Sequence, residues 1–446
     1  MHLISGPLGT LVGLYETAVD RLATWEVNGQ AVRPKVIAST ATVRQAAEQI
    51  QALFMRRVQI FPPQALDAGD TFFARQRPPS DQFPGRRYLG ICAPGRRLKA
   101  VLIRVYVAHL AAAQGLYERY GAAADPWMTL VGYFNSIREL GGMRRLVEDD
   151  VRSRLRRTDA RNMATRRGLR LEELTSRRGS TEIPELLNRL EVPFDPLRIQ
   201  RKGGAAGAKG SPTPEPLDVL LATNMISVGV DVKRLGLMVV SGQPKSTSEY
   251  IQATSRVGRS YPGLVCTVFN WVRPRDLSHY ERFEHFHATF YQHVEALSVT
   301  PFAPRAIDRG LAALLVSLVR LADPRFSDNA GASLISRDDP VVQAALAAIT
   351  RRAETVGDPA TLAVVREKLQ DCLDAWITEA TAAGPQHLGY SAERDDVTVG
   401  LLQRAGAGPW QTFTLLNSLR EVEPTVALVL DDAALDDSPD WPAAPL

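Results

Sequence analysis

The sequence predicts an α/β protein: a parallel sheet covered by helices on both faces, followed by an α-helical accessory region. Three observations carry the prediction. Short apolar runs such as LDVLLAT (217–223), GLMVVSG (236–242) and GLVCTVFNW (263–271) recur within a region of helical patterns. Each run is apolar throughout rather than alternating, the pattern of strands buried on both faces. After residue 300 strand patterns mostly vanish, and the alanine- and leucine-rich segments 304–323, 340–356 and 359–383 read as helices.

Taken in order, VRPKVIAST (32–40) is a strand candidate and ATVRQAAEQIQALFMRR (41–57) an amphipathic helix. Residues 61–86 are rich in Pro, Gly, Asp and Arg and read as a linker. RYLGICAPG (87–95) is a strand, RLKAVLIRVYVAHLAAAQGLYERY (97–120) a long helix, and WMTLVGYFNS (127–136) a buried strand. IRELGGMRRLVEDDVRSRLRR, from residue 137, reads as a helix interrupted by glycine. GGAAGAKGSPTPEP (203–216) is a low-complexity loop, and 431–446 is an acidic segment with the composition of a disordered tail.

A chain of 446 residues has room for two or three domains. Its 45% hydrophobic and 23% charged content is that of a globular protein, which excludes the disordered and fibrous classes. No apolar run reaches the roughly eighteen residues a membrane span needs, and no basic segment leads into an apolar core at the N-terminus. Cys92, Cys266 and Cys372 are far apart. They form neither a CxxC zinc pattern nor a disulfide framework, so a reducing, cytoplasmic location is expected. The net charge is only +4, but ten arginines fall between Arg152 and Arg178 against Asp159, Glu172 and Glu173. Such a stripe is either a solvated helix face or a contact for an anionic polymer.

Two stretches carry chemistry. In LLATNMISVGVDV (220–232) an apolar strand ends at Thr223 and a small polar loop leads to Gly229 and Asp231. Ligands of open parallel sheets bind beyond the carboxyl ends of strands. A threonine hydroxyl there suits a nucleic-acid phosphate, and an aspartate accepts hydrogen bonds from a ribose or an arginine. In YIQATSRVGRS (250–260) Arg256 and Arg259 are three apart, so a helix would place both on one face. They are then either a surface salt-bridging pair or a clamp for a phosphate. The phosphate loop G-x-x-x-x-G-K-[ST] is excluded at Lys209, which lies between Ala208 and Gly210 and is followed by prolines.

In this order and spacing the chain resembles the superfamily 2 helicases, nucleic-acid-dependent ATPase motors. ATNMISVGVD is similar to their motif V. Gln252, Arg256, Gly258 and Arg259 are similar to motif VI, Q-x-x-G-R-x-G-R, with Ser255 in place of the first glycine. LVGYFNSIREL (130–140) is similar to motif IV, and STAT (39–42) to motif III. The resemblance implies a RecA-like second motor domain over 87–300, a helical accessory domain over 301–430, and the edge of a first motor domain over 1–60. It implies ATP and Mg2+ as cofactors of the complete motor and DNA as partner. It assigns Arg256 and Arg259 as arginine fingers, with Gln252, Gly258, Gly229 and Asp231 at the ATP cleft. Thr223, Ser39, Thr40, Thr42, Asn135 and Ser136 are expected on nucleic acid, as are Arg166 and Arg167 of the stripe that follows motif IV.

A motor also needs a Walker A lysine and a D-E-x-H carboxylate pair, and the sequence holds neither. His2 falls where the last residue of D-E-x-H would stand. The chain is therefore expected to begin within motif II, to bind no ATP or Mg2+ alone, and to need a separate source of the missing half. Ile37, Leu53 and Phe54 are then expected to be partly exposed. SVTPFAPRAIDRGL (298–311) resembles the large helicase of the DISARM anti-phage system, which implies a DUF1998-type partner. Arg305 and Arg309 there serve either DNA phosphates or interdomain salt bridges. SHYERFEHFHATFYQHVEAL (278–297) holds four histidines spaced six, two and six, wrong for one metal ion, and reads as an aromatic packing helix. The function expected is the C-terminal portion of an ATP-dependent DNA helicase or translocase in anti-phage defence. The alternative is a non-catalytic DNA-binding or scaffolding subunit that keeps the motor fold.

Overall fold

A computed structural model of the chain describes residues 4, 8–40, 44–63, 66–67, 69–175, 178, 181–194, 215–227, 231–295, 299–384, 387–393, 398–416 and 419. Thr42, Gly229, Lys209, most of the 203–216 loop and the acidic tail lie outside the described residues. The chain divides into two compact units, one of residues 1–60 with 296–446 and one of residues 61–295.

In the first unit, helix Gly9–Leu22 packs on helix Pro304–Ala322. Leu11 and Leu14 are buried with Ile307, Leu311, Leu314 and Leu315. The helices approach closely at Gly310, where an added Cβ would lie 2.7 Å from Leu14 Cδ2. Helices Pro340–Val356 and Pro359–Ala382 each begin at an Asp-Pro pair. Asp339 accepts from Val341 N at 2.8 Å and Asp358 from Thr361 N at 2.6 Å, while each proline stands where no N–H is needed.

The strand expected at 32–40 is not formed. Strands β1 (Trp25–Val27) and β2 (Gln30–Val32) make a hairpin, and residues 33–40 run without strand pairing. Asn28 and Gly29 both take positive φ, which Asn-Gly supplies at a two-residue turn. The following helix is shorter than expected, Ala46–Phe54. Ile37 is 90% exposed as expected, but Leu53 and Phe54 are buried, packed in a cluster with Val299.

In the second unit, six strands form one parallel sheet. They are β3 (Arg86–Cys92), β4 (Leu130–Phe134), β5 (Leu171–Leu174), β6 (Val219–Ala222), β7 (Leu237–Ser241) and β8 (Gly263–Phe269). The order is β3-β8-β7-β4-β6-β5. Every residue of β4, β6 and β7 is buried, as runs apolar on both faces require. Leu130, Phe134, Leu221, Val239 and Val268 face helices Leu98–Tyr120 and Ile137–Leu146. Val131, Tyr133, Leu220, Met238 and Val240 face helices Glu182–Glu191 and Thr247–Thr254. The stretch Leu98–Met128 is long and apolar enough to cross a membrane, contrary to expectation. Burial of Leu102, Val105, Tyr106 and Leu110 in the core accounts for that apolar content.

The arginine stripe is not one helix. A π turn, Val147–Val151, precedes it, the α-helical run ends at Leu155, and β5 lies inside the stripe. The histidine-rich segment is two short helices, Pro274–Glu281 and Phe283–Thr289. His287 Nε2 lies 2.8 Å from Tyr250 Oη, and its ring packs on Phe283 at 4.0 Å between centroids.

Candidate functional site

The site is built around the loop that leaves helix Thr247–Thr254. Ser246 caps that helix, its hydroxyl accepting from Glu249 N at 3.2 Å. The expectation that Arg256 and Arg259 share a helix face is corrected. The helix ends at Thr254, and both arginines lie in the loop beyond it. Gly258 supplies the reason. Its φ is +70°, and an added Cβ would lie 2.7 Å from Gly263 Cα, so no side chain fits. Gly258 N donates to Leu235 O at 2.8 Å, and Arg86 Nε donates to Val257 O at 2.8 Å. These bonds fix the loop at the amino ends of β3, β7 and β8.

Within this frame Arg259 forms an ion pair with Asp231 and donates from Nε to Ser255 O at 3.2 Å. Burial depresses the pKa of Arg256, the positive charge of Arg259 depresses it further, and Asp231 opposes both. Burial and the neighbouring guanidinium both act against the Arg256 charge, and Asp231 acts for it. Gln252 is partly buried on the last turn of the preceding helix.

A second group lies at the carboxyl ends of β4, β6 and β7. Thr223 is buried just past β6, its carbonyl accepting from Ile226 N at 3.1 Å. Asn135 donates from Nδ2 to Ser241 O at 3.1 Å and Gln243 O at 3.4 Å, tying the end of β4 to that of β7. Ser136 caps helix Ile137–Leu146, accepting from Glu139 N at 3.2 Å. Gln243 was not anticipated. It is 3% exposed, and neither atom of its amide has a hydrogen-bond partner among the described residues; nor has Asn135 Oδ1. Buried polar atoms of this kind call for a water or a ligand group. The only sequence signal is a polar residue two positions past a buried strand.

Arg166 requires a correction. It was expected on nucleic acid, but it is 4% exposed, pairs with the buried Asp218 and donates to Met128 O at 2.9 Å. Its charge serves the interior. Arg167 is exposed. Ser39 and Thr40 are exposed on the extended stretch of the other unit. Arg309, also of that unit, lies 3.6 Å above the Trp410 ring, a cation–π contact.

Residues 210–261 match the family described as helicase conserved C-terminal domain. Over 445 residues the chain is 41% identical to the DISARM protein DrmA of Bacillus paralicheniformis, a match covering 96% of this chain. It spans 37% of DrmA's own length. Among solved structures it is similar to the DUF1998 helicase MrfA bound to DNA, at 16% identity and a TM-score of 0.42, covering 71% of this chain and 36% of that one. It is also similar to the Mycobacterium smegmatis helicase Lhr bound to ssDNA and AMP-PNP, at 14% identity and a TM-score of 0.35, covering 70% of this chain and 31% of that one. The parallel sheet, the family match and the long alignment with DrmA agree with the motif order. Residues 210–261 therefore match a helicase conserved C-terminal domain set in a parallel α/β sheet, and the chain is similar over nearly its whole length to the DISARM protein DrmA.

Proposed function

We propose that this chain is the C-terminal portion of an ATP-dependent DNA helicase or translocase that acts in anti-phage defence in the cytoplasm. The observation that carries the reading is the loop from Ser255 to Arg259. It holds two guanidinium groups on a backbone fixed by Gly258 and Arg86, and the charge of one is disfavoured by burial and by the other. A γ-phosphate is the anion that fits such a pair, and Arg256 and Arg259 would stabilise the charge that develops on it during transfer. In the complete motor Mg2+ would neutralise the phosphates. The lysine and carboxylates that cradle them would come from another segment, since no G-K-[ST] loop or D-E pair occurs in the sequence. Asn135 and the exposed Ser136 would meet the nucleic-acid backbone at the carboxyl edge of the sheet, with the buried Thr223 and Gln243 behind them. A DUF1998-type protein would be a further partner. Three free thiols, Cys92, Cys266 and Cys372, suit the reducing cytoplasm.

The test is Arg256→Ala in a motor reconstituted with the Walker-bearing segment. Turnover should fall on the order of 10³-fold or more, the scale of a lost arginine finger, while DNA retention stays within about twofold. Turnover that survives the substitution removes the arginine-finger assignment.

A further inference from the structure

We propose that the chain carries a second phosphate-binding site, a pocket of about 470 Å3 walled by Arg104, Arg154, Arg157 and Arg161. Helix Leu98–Tyr120 supplies Arg104 and, one turn on, Val107, which together with Met163 gives the pocket an apolar lining. Arg154 stands on the short helix Arg152–Leu155, Arg157 on the turn after it and Arg161 at the end of the 3-10 turn Thr158–Arg161. The backbone that bears them is anchored. Leu155 is fully buried, and the Thr158 hydroxyl donates to Ala164 O at 2.7 Å. The guanidinium groups themselves are on exposed residues.

Other arginines of the stripe have protein partners. Arg152 donates to Leu169 O, Arg166 pairs with Asp218, Arg170 with Glu215 and Arg178 with Glu172. The four of the pocket make no ion pair among the described residues, and no carboxylate lines it. The nearest acids in sequence, Asp150 and Asp159, are not paired with them. Like charges gathered in one concavity raise one another's energy, and an anion offsets that cost. Guanidinium forks favour phosphate, which accepts two parallel hydrogen bonds from each.

The pocket is separate from the motif loops. Its helices cover the sheet face of Leu130, Phe134 and Val239, whereas helix Thr247–Thr254 covers that of Val131, Tyr133 and Val240. The ligand is a phosphate group, either of a nucleic-acid backbone or of a free phosphorylated molecule.

The experiment uses the full chain and the double variant Arg154→Gln/Arg157→Gln, with Arg351→Gln/Arg366→Gln as a charge-matched control on exposed helix positions. Binding of a labelled oligothymidine is followed by anisotropy over a range of salt. The melting temperature is followed with inorganic tripolyphosphate. A backbone site predicts weaker DNA binding in the pocket variant, with a salt slope lower by about 1.4, from roughly 0.7 per phosphate contact on a single strand. A site for a free phosphorylated molecule predicts that tripolyphosphate raises the melting temperature of the wild type but not of the pocket variant, with DNA binding unchanged. Either result supports the site. If the pocket variant matches the control in both assays, or the wild type binds neither probe, the proposal is wrong. Equal melting temperatures without ligand show that the variants fold. No readout needs turnover, so this proposal and the arginine-finger reading fail independently.

Discussion

Gly258 decides where two guanidinium groups stand. Its φ of +70° costs an L-residue about 1–2 kcal/mol, and the atoms that a Cβ would meet are Gly263 Cα at 2.7 Å and N at 3.0 Å. Backbone cannot swing aside as a side chain can. Gly258→Ala should therefore destabilise the chain by about 2 kcal/mol or more, read as a lower denaturation midpoint. Gly141, within helix Ile137–Leu146, is the opposite case, since an added Cβ meets nothing within 4 Å. Gly141→Ala should stabilise by about 0.5–1 kcal/mol in the same assay, and equal effects at the two glycines would refute the steric argument. Arg166 and Arg167 make a similar pair. Arg166→Ala leaves Asp218 buried without its guanidinium and should cost about 3–5 kcal/mol, whereas Arg167→Ala should be nearly neutral in stability. Nothing local separates these two neighbours in the sequence. What separates them is Asp218, far along the chain and brought near only by the sheet. Spacing alone singles out Arg256 and Arg259 as a pair but leaves their role open. Their place past the helix end was not legible, because it follows from the approach of Gly263.

At the scale of elements, legibility follows burial. Strands β4, β6, β7 and β8 are buried almost throughout, and a continuous apolar run reports that directly. Strand β5 stands at the sheet edge, carries Glu172 and Glu173, and sits among arginines, so it sent no apolar signal. Helix Gly9–Leu22 also went unread. Its apolar side matches Gly310 and Leu311 of a helix nearly three hundred residues away, and that partner is not visible locally. The two helices after β8 yield a pH prediction. Burial lowers the pKa of His287 and His279 below the usual 6.5, and it does the same to His109 on helix Leu98–Tyr120. A base whose folded pKa is depressed binds more protons when unfolded, so stability rises with pH through that window. The chain should keep its full stability above about pH 7 and lose it as pH falls through 6.5 toward the folded values. Melting temperatures between pH 7.5 and 5 should show the decline, and His287→Gln should make it shallower, since a glutamine side chain has no proton to gain. An unchanged slope would mean that His287 is not held neutral by its burial.

For the whole molecule the question is what the chain can do by itself. Arginine fingers act on charge that other groups have already gathered, and two guanidinium groups alone neither hold magnesium nor orient water. The sequence provides no G-K-[ST] loop and no D-E pair, and among the described residues no three His, Cys, Asp or Glu side chains cluster as a metal site. The chain alone should therefore release no phosphate from ATP above background, with or without single-stranded DNA. The same preparation should still retain DNA at low salt, because exposed arginines such as Arg157, Arg161 and Arg167 remain available to phosphates. Phosphate release and filter retention on one sample test both halves. Silent hydrolysis with retained DNA fits a chain that completes a motor whose other groups lie on a different segment. DNA-stimulated release would show that a lysine and a carboxylate in this chain do the work of the missing motifs, and the division of labour proposed for Arg256 and Arg259 would have to be redrawn around them.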